Sequence, residues 1–592
     1  MFDIKQKVFD VLKFEFDGQI TVLENSDGIY VKYDGKNAVI GFNSVAQQAR
    51  CYFLLSMHIK RGETSFEIKE KPVFDTVGPM LDVSRGKVMS VEGIKRYLDI
   101  LVTLGLNMLM LYTEDLFEMK EYPMFGYLRG RYSMQELKEI DDYAYSLGIE
   151  VIPCIQTLGH LQNYIRTSEG SKISDTPKVL LVGNDETYKF IETEIKTMRE
   201  AFRSQKIHLG MDEAYGIGMG KYFKLHGYRD EFEIFNEHLI KVLDISKKYF
   251  EKPMIWSDML FNEPSGRQYN HTHIVKQEII DNLPKDVNLV YWYYYSDSYD
   301  YYDKVFAQHA RFDNEISFAG GIWTFDGLAP NFTYSEQTTI PALRAAIKYN
   351  VKTIIATKWG SGHSVADFVH SAPSLVLFSE YCYKGLECTL DDIDAAAYHL
   401  TGTTRELLSA ISDLYIGLRG ARSFNKATFY GDPFINLVNL DIDYNEALDT
   451  HKKAYEILKK YPDYEYYDYY KCLFEIAIRK IELFANLQKS YKTDDREYLE
   501  NVATVIFPEL LSFYEEFYKL FKFYWNKDYK TFGIEAYTQD IGGVILRVKD
   551  CKETLENYLS GNIDTIEALE AEILPLVQSW RVPRSYMETY RG

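Results

Sequence analysis

The sequence predicts a (β/α)8 barrel, preceded by a small α/β unit and followed by an all-helical one. Three observations carry this. Eight short apolar, β-leaning runs alternate with helix-like segments between residues 73 and 384. Chemically loaded residues recur at the C-terminal ends of those runs, where barrels place their active sites. From residue 385 onward strand-like runs stop and 3.6-residue periodicity takes over. A doubly wound open sheet shares the alternation, and periodicity alone does not separate the two. At 592 residues the chain exceeds one hydrophobic core. The expected division is 1–72, 73–384 and 385–592.

In the first segment, Ile20–Leu23, Ile29–Tyr33, Ala38–Phe42 and Ser65–Lys69 read as strands. Asn25–Gly28 has hairpin-turn chemistry. Ser44 caps a helix running to about Met57. In the second segment the strands are Met80–Val83, Met108–Tyr112, Glu150–Ile155, Ile207–Met211, Pro253–Trp256, Leu289–Tyr293, Phe318–Trp323 and Thr353–Thr357. Ser90 and the capping box Ser133–Glu136 start helices between them, and Gly105 and Gly148 stand where helices should end. In the third segment Thr389–Asp392 opens a helix. Tyr444–Lys459, Tyr466–Leu487, Glu497–Trp525, Gly533–Leu559 and Thr565–Val577 continue the helical pattern. The tyrosine-rich stretch Tyr461–Tyr470 reads as an exposed helix start. Packing, oligomerisation (leaving room for a homodimer) or shaping a rim are the roles open to this segment.

A net charge of −20 argues against a nucleic-acid partner, since a polyanion would be repelled. The uncharged apolar runs fall short of the ~18 residues a membrane span needs. Six scattered cysteines without a CxxC pair fit free thiols in a reducing compartment, and no secretory leader is legible at Met1–Lys5, so a cytoplasmic location is expected. The 49 tyrosines are read as core and interface filler, or as apolar rings with polar tips suited to carbohydrate. Gly216–Gly220 has GxGxG spacing without the following Lys-Ser/Thr, so it is set aside as a phosphate loop. His271 and His273 lack further ligands at metal-site spacing. No metal or cofactor is implied.

The strand ends carry the chemistry. Glu114 and Asp115 follow the second run and His160 follows the third. The fourth ends in the adjacent carboxylates Asp212 and Glu213. Trp256, Trp292, Trp323 and Trp359 lie at or near the ends of the fifth to eighth, 36, 31 and 36 residues apart. Four tryptophans in phase predict an aromatic-walled pocket. The stretch His208–Leu–Gly210–Met–Asp212–Glu213 resembles the His-x-Gly-x-Asp-Glu signature of glycoside hydrolase family 20, the β-N-acetylhexosaminidases. Leu81–Asp82–Val–Ser–Arg85, Gly148–Pro153 with Gly159–His160, Trp256–Ser–Asp258, Trp292, Trp323 and Trp359–Gly360 resemble further family blocks in the same order.

The resemblance covers about residues 1–380. It implies exo-acting hydrolysis of terminal β-linked N-acetylglucosamine or N-acetylgalactosamine with retention of configuration. The substrate's own 2-acetamido group would be the nucleophile. Glu213 would be the general acid and base, and Asp212 would orient the acetamido group. Adjacent side chains on a strand diverge, which suits two carboxylates with separate tasks. Their proximity predicts coupled titration. The resemblance also implies substrate contacts from Trp256, Trp292, Trp359, Trp323 and Asp326, and from Glu114 with His160; His208 is expected to be structural. Three positions depart from the family: Val77 replaces a sugar-gripping arginine, Ser361 a glutamate and Thr324 an acetamido-binding tyrosine. Tyr293, Tyr294 or Tyr295 would supply that hydroxyl, with Tyr294 favoured by its parity with Trp292. An O-GlcNAcase-like glycosidase, which uses two aspartates, and an inactive carbohydrate-binding scaffold are the alternatives.

Overall fold

The computed structural model describes residues 3–23, 26–261, 274–325, 327–360, 364–415, 428–436 and 443–572. His271, His273, Asp326 and Ser361 lie outside the described residues, as does the end of the expected helix at Thr565–Val577.

The small sheet contains β1 (Ile20–Leu23), β2 (Ile29–Tyr33), β3 (Ala38–Gly41) and β4 (Phe66–Glu70) in the order β1-β3-β2-β4. The expected hairpin between β1 and β2 is not formed. β1 pairs in parallel with β3, and the hairpin is β2–β3. Its turn is closed by the Asp34 carboxylate, which accepts the Lys36 and Asn37 amides, and by Gly35 at φ +100°. That local carboxylate-to-amide bonding outcompetes the Asn25–Gly28 signal. Helix Val45–Lys60, capped by Ser44 as expected, covers the sheet. From it Arg50, fully buried, makes paired bonds to Glu70 on β4 and to Glu380 on helix Ala372–Lys384. This guanidinium fastens the small sheet to the last helix of the barrel.

The barrel strands are β5 (Thr76–Asp82), β6 (Met108–Tyr112), β7 (Glu150–Cys154), β8 (Lys206–His208), β9 (Lys252–Trp256), β10 (Asn288–Trp292), β11 (Ile316–Gly321) and β12 (Thr353–Lys358). Every neighbouring pair is parallel, and β12 pairs with β5 to close the ring, which excludes the open sheet. Met108–Tyr112 is buried at every position, because parallel strands are covered on both faces. Ser90 and Ser133 cap helices Val91–Thr103 and Met134–Ser146, the latter through a complete capping box. Two strands end at least two residues earlier than their apolar runs suggest. β8 stops at His208, four residues before Asp212, and β11 stops at Gly321, two before Trp323.

The chain groups into two compact units. One holds 1–322, 335–359 and 372–401; the other holds 323–334, 360–371 and 402–592. In the second, helices Tyr444–Leu458, Tyr467–Lys492, Phe507–Asp528 and Ile534–Leu559 form the bulk. Tyr461–Tyr470 is not simply an exposed helix start: Tyr469 and Tyr470 are buried. Tyr469 Oη donates to the Val365 carbonyl at 2.7 Å, and the His370 ring stacks on Tyr466 at 3.6 Å. Buried tyrosines occur in both units, among them Tyr97, Tyr112 and Tyr291 in the first and Tyr469, Tyr470 and Tyr514 in the second. All six cysteines are free and buried. No described helix is long and apolar enough to cross a membrane.

Candidate active site

The site gathers at the C-terminal ends of β5 to β10. Beyond β8 the chain leaves strand geometry through Gly210 (φ +73°), Met211 (φ +74°) and Glu213 (φ +47°). A Cβ on Gly210 would sit 2.2 Å from Gln156 Oε1 and 2.6 Å from the Ile155 carbonyl, so the signature glycine is demanded by both torsion and space. Met211 and Glu213 adopt left-handed torsions that cost non-glycine residues free energy. Glu114 (φ +43°) and His160 (φ +56°) do the same on neighbouring loops. Strained backbone therefore concentrates around the acid pair.

This corrects the expectation that strand alternation separates the two carboxylates. Left-handed turns do it instead. Asp212 is buried. Its Oδ1 accepts from Gln156 Nε2 at 2.7 Å and its Oδ2 lies 3.2 Å from His160 Nε2. The Glu213 side chain is 40% exposed, and its Oε2 lies 3.4 Å from the same His160 nitrogen. His160 thus bridges the pair. Burial disfavours its cation, but the Asp212 charge, and hydrogen bonding to Asp212 and Glu213, win and lift its pKa to about 10. Burial likewise disfavours the Asp212 anion, yet His160, Gln156 and Arg85 hold its pKa below the usual range.

The carboxyl that is pushed up is Asp258, fully buried just past β9. Burial first, then the Asp212 charge, raise it to about 8, against the bond it accepts from the Glu213 amide at 3.0 Å. A protonated Asp258 coexists with an ionised Asp212 because only one of them holds a cation. Proximity therefore splits the titrations between Asp212 and Asp258.

The other predicted residues divide. Glu114 is buried; its Oε1 accepts from Tyr112 Oη at 3.1 Å and pairs with Arg85 at 3.2 Å. It reaches the acid pair through Tyr112 and Gln156, whose Nε2 donates to both Tyr112 Oη (2.9 Å) and Asp212. Trp256 and Trp359 stand with ring centres 6.1 Å apart, and Trp359 meets Tyr112 edge-on at 4.9 Å. Trp292 lies beside Tyr294, 5.9 Å between rings. Trp292 lies near enough to Asp258 to oppose its upward shift, and Tyr294 feels the Glu213 charge, so both belong to the site. His208 is fully buried, accepts the Gly210 amide on Nδ1 at 3.0 Å and packs 4.2 Å from Trp256. Burial drops its pKa to about 3, which makes it a neutral structural group, as expected.

Trp323 groups with the helical unit, packed against Phe325, Tyr334 and Tyr415. Tyr112, Arg85 and Asp258 fall in blocks legible in the sequence but carry no expected role there, and Gln156 is not singled out. Each sits at or just past a strand end, so the rule that found Glu114 and His160 would have found them. Arg85 lies over Trp359 and Tyr112 (4.9 and 5.2 Å) and also pairs with Asp82 at 3.1 Å. Val77 is buried at the N-terminal end of β5, its amide bonded to the Asn107 side chain at 2.8 Å. The guanidinium of this site is therefore Arg85, at the other end of the same strand.

Residues 74–297 match the family described as "Glycosyl hydrolase family 20, catalytic domain", and residues 418–587 match "Glycoside Hydrolase 20C C-terminal domain". A beta-hexosaminidase of Porphyromonas gingivalis is 28% identical over 33% of this chain and 29% of its own length. The beta-hexosaminidase subunit beta of Entamoeba histolytica is 23% identical over 42% of this chain and 46% of its own length. The chain thus spans less than half of either relative. Among solved structures, the Streptomyces plicatus N-acetyl-beta-hexosaminidase superposes with a TM-score of 0.51 at 17% identity, over 67% of this chain and 88% of that one. The Flavobacterium johnsoniae chitobiase gives 0.51 at 15% identity, over 88% and 93%. At these identities the structural likeness speaks to the fold. The catalytic-domain match covers barrel strands β5 to β10 and the 20C match falls in the helical segment, and in both the chain resembles the family 20 glycoside hydrolases.

Proposed function

We propose that the protein is an exo-acting β-N-acetylhexosaminidase that uses the substrate's 2-acetamido group as nucleophile. The observation that carries this is the unequal setting of the two adjacent carboxylates. Asp212 is buried, ionised and aimed by Gln156 and His160, while Glu213 is half open to solvent and shares the His160 contact. A fixed anion suits an amide N–H that becomes positively polarised as its carbonyl attacks. A reachable carboxyl suits proton exchange with a leaving oxygen and then with water.

The acetamido carbonyl oxygen bonds to C1 while the C1–oxygen bond to the leaving group breaks. Glu213 delivers its proton to that oxygen, and Asp212 stabilises the oxazolinium N–H. Water then attacks C1, giving its proton to Glu213, and the acetamide is restored with retained configuration. Trp256, Trp292 and Trp359 wall the acetamido side, and Tyr294 is placed to bond its carbonyl. Without the family arginine at Val77, the grip on the sugar hydroxyls is looser, and both gluco and galacto epimers are accepted. Free buried thiols favour a reducing compartment, the cytoplasm, as the place of action.

The test uses 4-nitrophenyl N-acetyl-β-glucosaminide, its galacto epimer and the plain β-glucoside. Cleavage of both N-acetyl sugars with the glucoside inert is expected. Equal cleavage of the glucoside would sink substrate assistance, and binding without turnover would favour a scaffold. An O-GlcNAcase-like pair would be two aspartates, which Glu213 disfavours.

A further inference from the structure

Immediately past the acid pair runs a segment the proposed chemistry has not used. The Tyr215 amide donates to the Glu213 carbonyl at 2.7 Å, so its backbone is tied to that of the proposed acid. The segment is a built element. Buried Asp175 accepts the Gly218 amide at 2.8 Å and the Tyr222 amide at 2.7 Å on its carboxylate, and its carbonyl accepts the Lys221 amide at 3.0 Å. A Cβ on Gly220 would lie 2.0 Å from the Asp175 carbonyl. The GxGxG spacing is thereby explained: these glycines let a loop fold over a carboxylate and cradle no phosphate.

So anchored, the segment exposes an apolar face: Tyr215 is 39% exposed, and Met219 and Phe223 are also open to solvent. A pinned loop that holds rings in water next to a catalytic carboxylate has not buried them for stability. The Tyr215 hydroxyl is also held in its neutral form, first by burial, then by the charges of Asp258, Glu213 and Asp212, which places it at the site rather than beyond it. A general acid must lie within hydrogen-bond reach of the leaving oxygen. The groups beside the exposed flank of Glu213 therefore face the leaving group.

Resting on the reading above, we propose that Tyr215 is the platform on which the leaving group stacks, and that this group is a pyranose. An aromatic ring with a polar tip at a solvent-exposed rim matches a sugar, whose ring has an apolar face and a polar edge. Asp175 is the positioning residue that holds the platform.

The test compares two substrates with alkoxide leaving groups of different size, chitobiose and methyl N-acetyl-β-glucosaminide, for wild type, Tyr215→Ala and Tyr215→Phe. For Tyr215→Ala, kcat/KM on chitobiose should fall roughly three- to tenfold, the range expected for one aromatic stacking contact. The loss on the methyl glycoside should be several-fold smaller, and Tyr215→Phe should keep the wild-type ratio of the two rates. An equal loss on both substrates would assign Tyr215 a structural role and overturn the proposal, as would an unchanged rate on chitobiose. If wild type cleaves neither substrate, the hexosaminidase reading itself falls and takes the platform with it. That outcome is told apart by the wild-type control alone.

Discussion

Two buried charge networks in the barrel unit invite comparison. At the joint with the small sheet, Arg50 is matched by Glu70 and Glu380, and Lys384 adds a second cation 3.4 Å from Glu380. Both cations face buried carboxylates, and no positive-φ residue other than glycine lies among Arg50, Glu70, Glu380 and Lys384. Around Asp212 the carboxylates dominate more strongly. Asp82, Glu114, Asp212 and Glu213 share Arg85 and His160, and Asp258 adds a fifth carboxyl whose ionisation the Asp212 charge opposes. Four residues of that region sit at strained torsions or beside them, and one carboxylate opens to water. A balanced network ties elements together. An unbalanced one on strained backbone leaves carboxyls with distinct proton affinities, which is what acid–base chemistry needs.

Substitutions can break this contrast. The largest effect belongs to Glu213→Gln, which removes a proton carrier from the open network. The kcat on a disaccharide should fall ~10²- to 10⁴-fold, the usual worth of general acid–base catalysis, while Tm stays near wild type. If Tm falls with activity, Glu213 belongs with the structural network instead. Arg50→Met is the mirror experiment. It strands Glu70 and Glu380 without their guanidinium and should cost ~3–5 kcal/mol of stability in denaturant unfolding, with activity per folded molecule retained. Gly210→Ala tests whether strain supports the site. Its Cβ would push Gln156 off Asp212, and the strained torsion should cost ~1–3 kcal/mol with a matching drop in kcat.

A further contrast is read from pH dependence. Asp258 titrates at about 8 in the folded chain against 3.8 ordinarily. Between those values only the unfolded chain ionises it, so this group lowers stability as pH rises through that window and adds no further loss above it. Asp258→Asn keeps an acceptor for the Glu213 amide and removes the titration, so Tm should fall less between pH 4 and 8 than in wild type. His160 has the opposite charge and a raised pKa. Its contribution is complete below 6.5 and is lost as pH rises through about 10, so that alkaline decline should persist in the variant. A variant with an unchanged Tm profile would mean that Asp258 is ionised in the folded protein throughout.

Much of this was legible in the chain because it depends on neighbours in sequence. Parallel barrel strands are apolar on both faces, so Met108–Tyr112 announced itself. Ser90, Ser133 and Ser44 cap helices by accepting from amides three residues away. The adjacency of Asp212 and Glu213 and the phase of the tryptophans are likewise linear facts. The turn of the small sheet misled, because two turn signals competed and only pairing in space chose between them.

What tertiary structure alone decided is who faces whom. Asp258 is 45 residues from Glu213 yet accepts its amide, and Gln156 is 56 from Asp212 yet aims it. Spacing in sequence carries no trace of such contacts, because loop closure brings the ends of different strands together whatever lies between them. Sequence by itself determined the strand–helix alternation, its strand-end chemistry and the pair of acids, while the pairing of β12 with β5 that closes the ring belongs to the fold. Only the fold determined that left-handed turns, not strand alternation, divide that pair into a buried carboxylate and a half-exposed one, because torsions of this kind are imposed by the contacts that surround them.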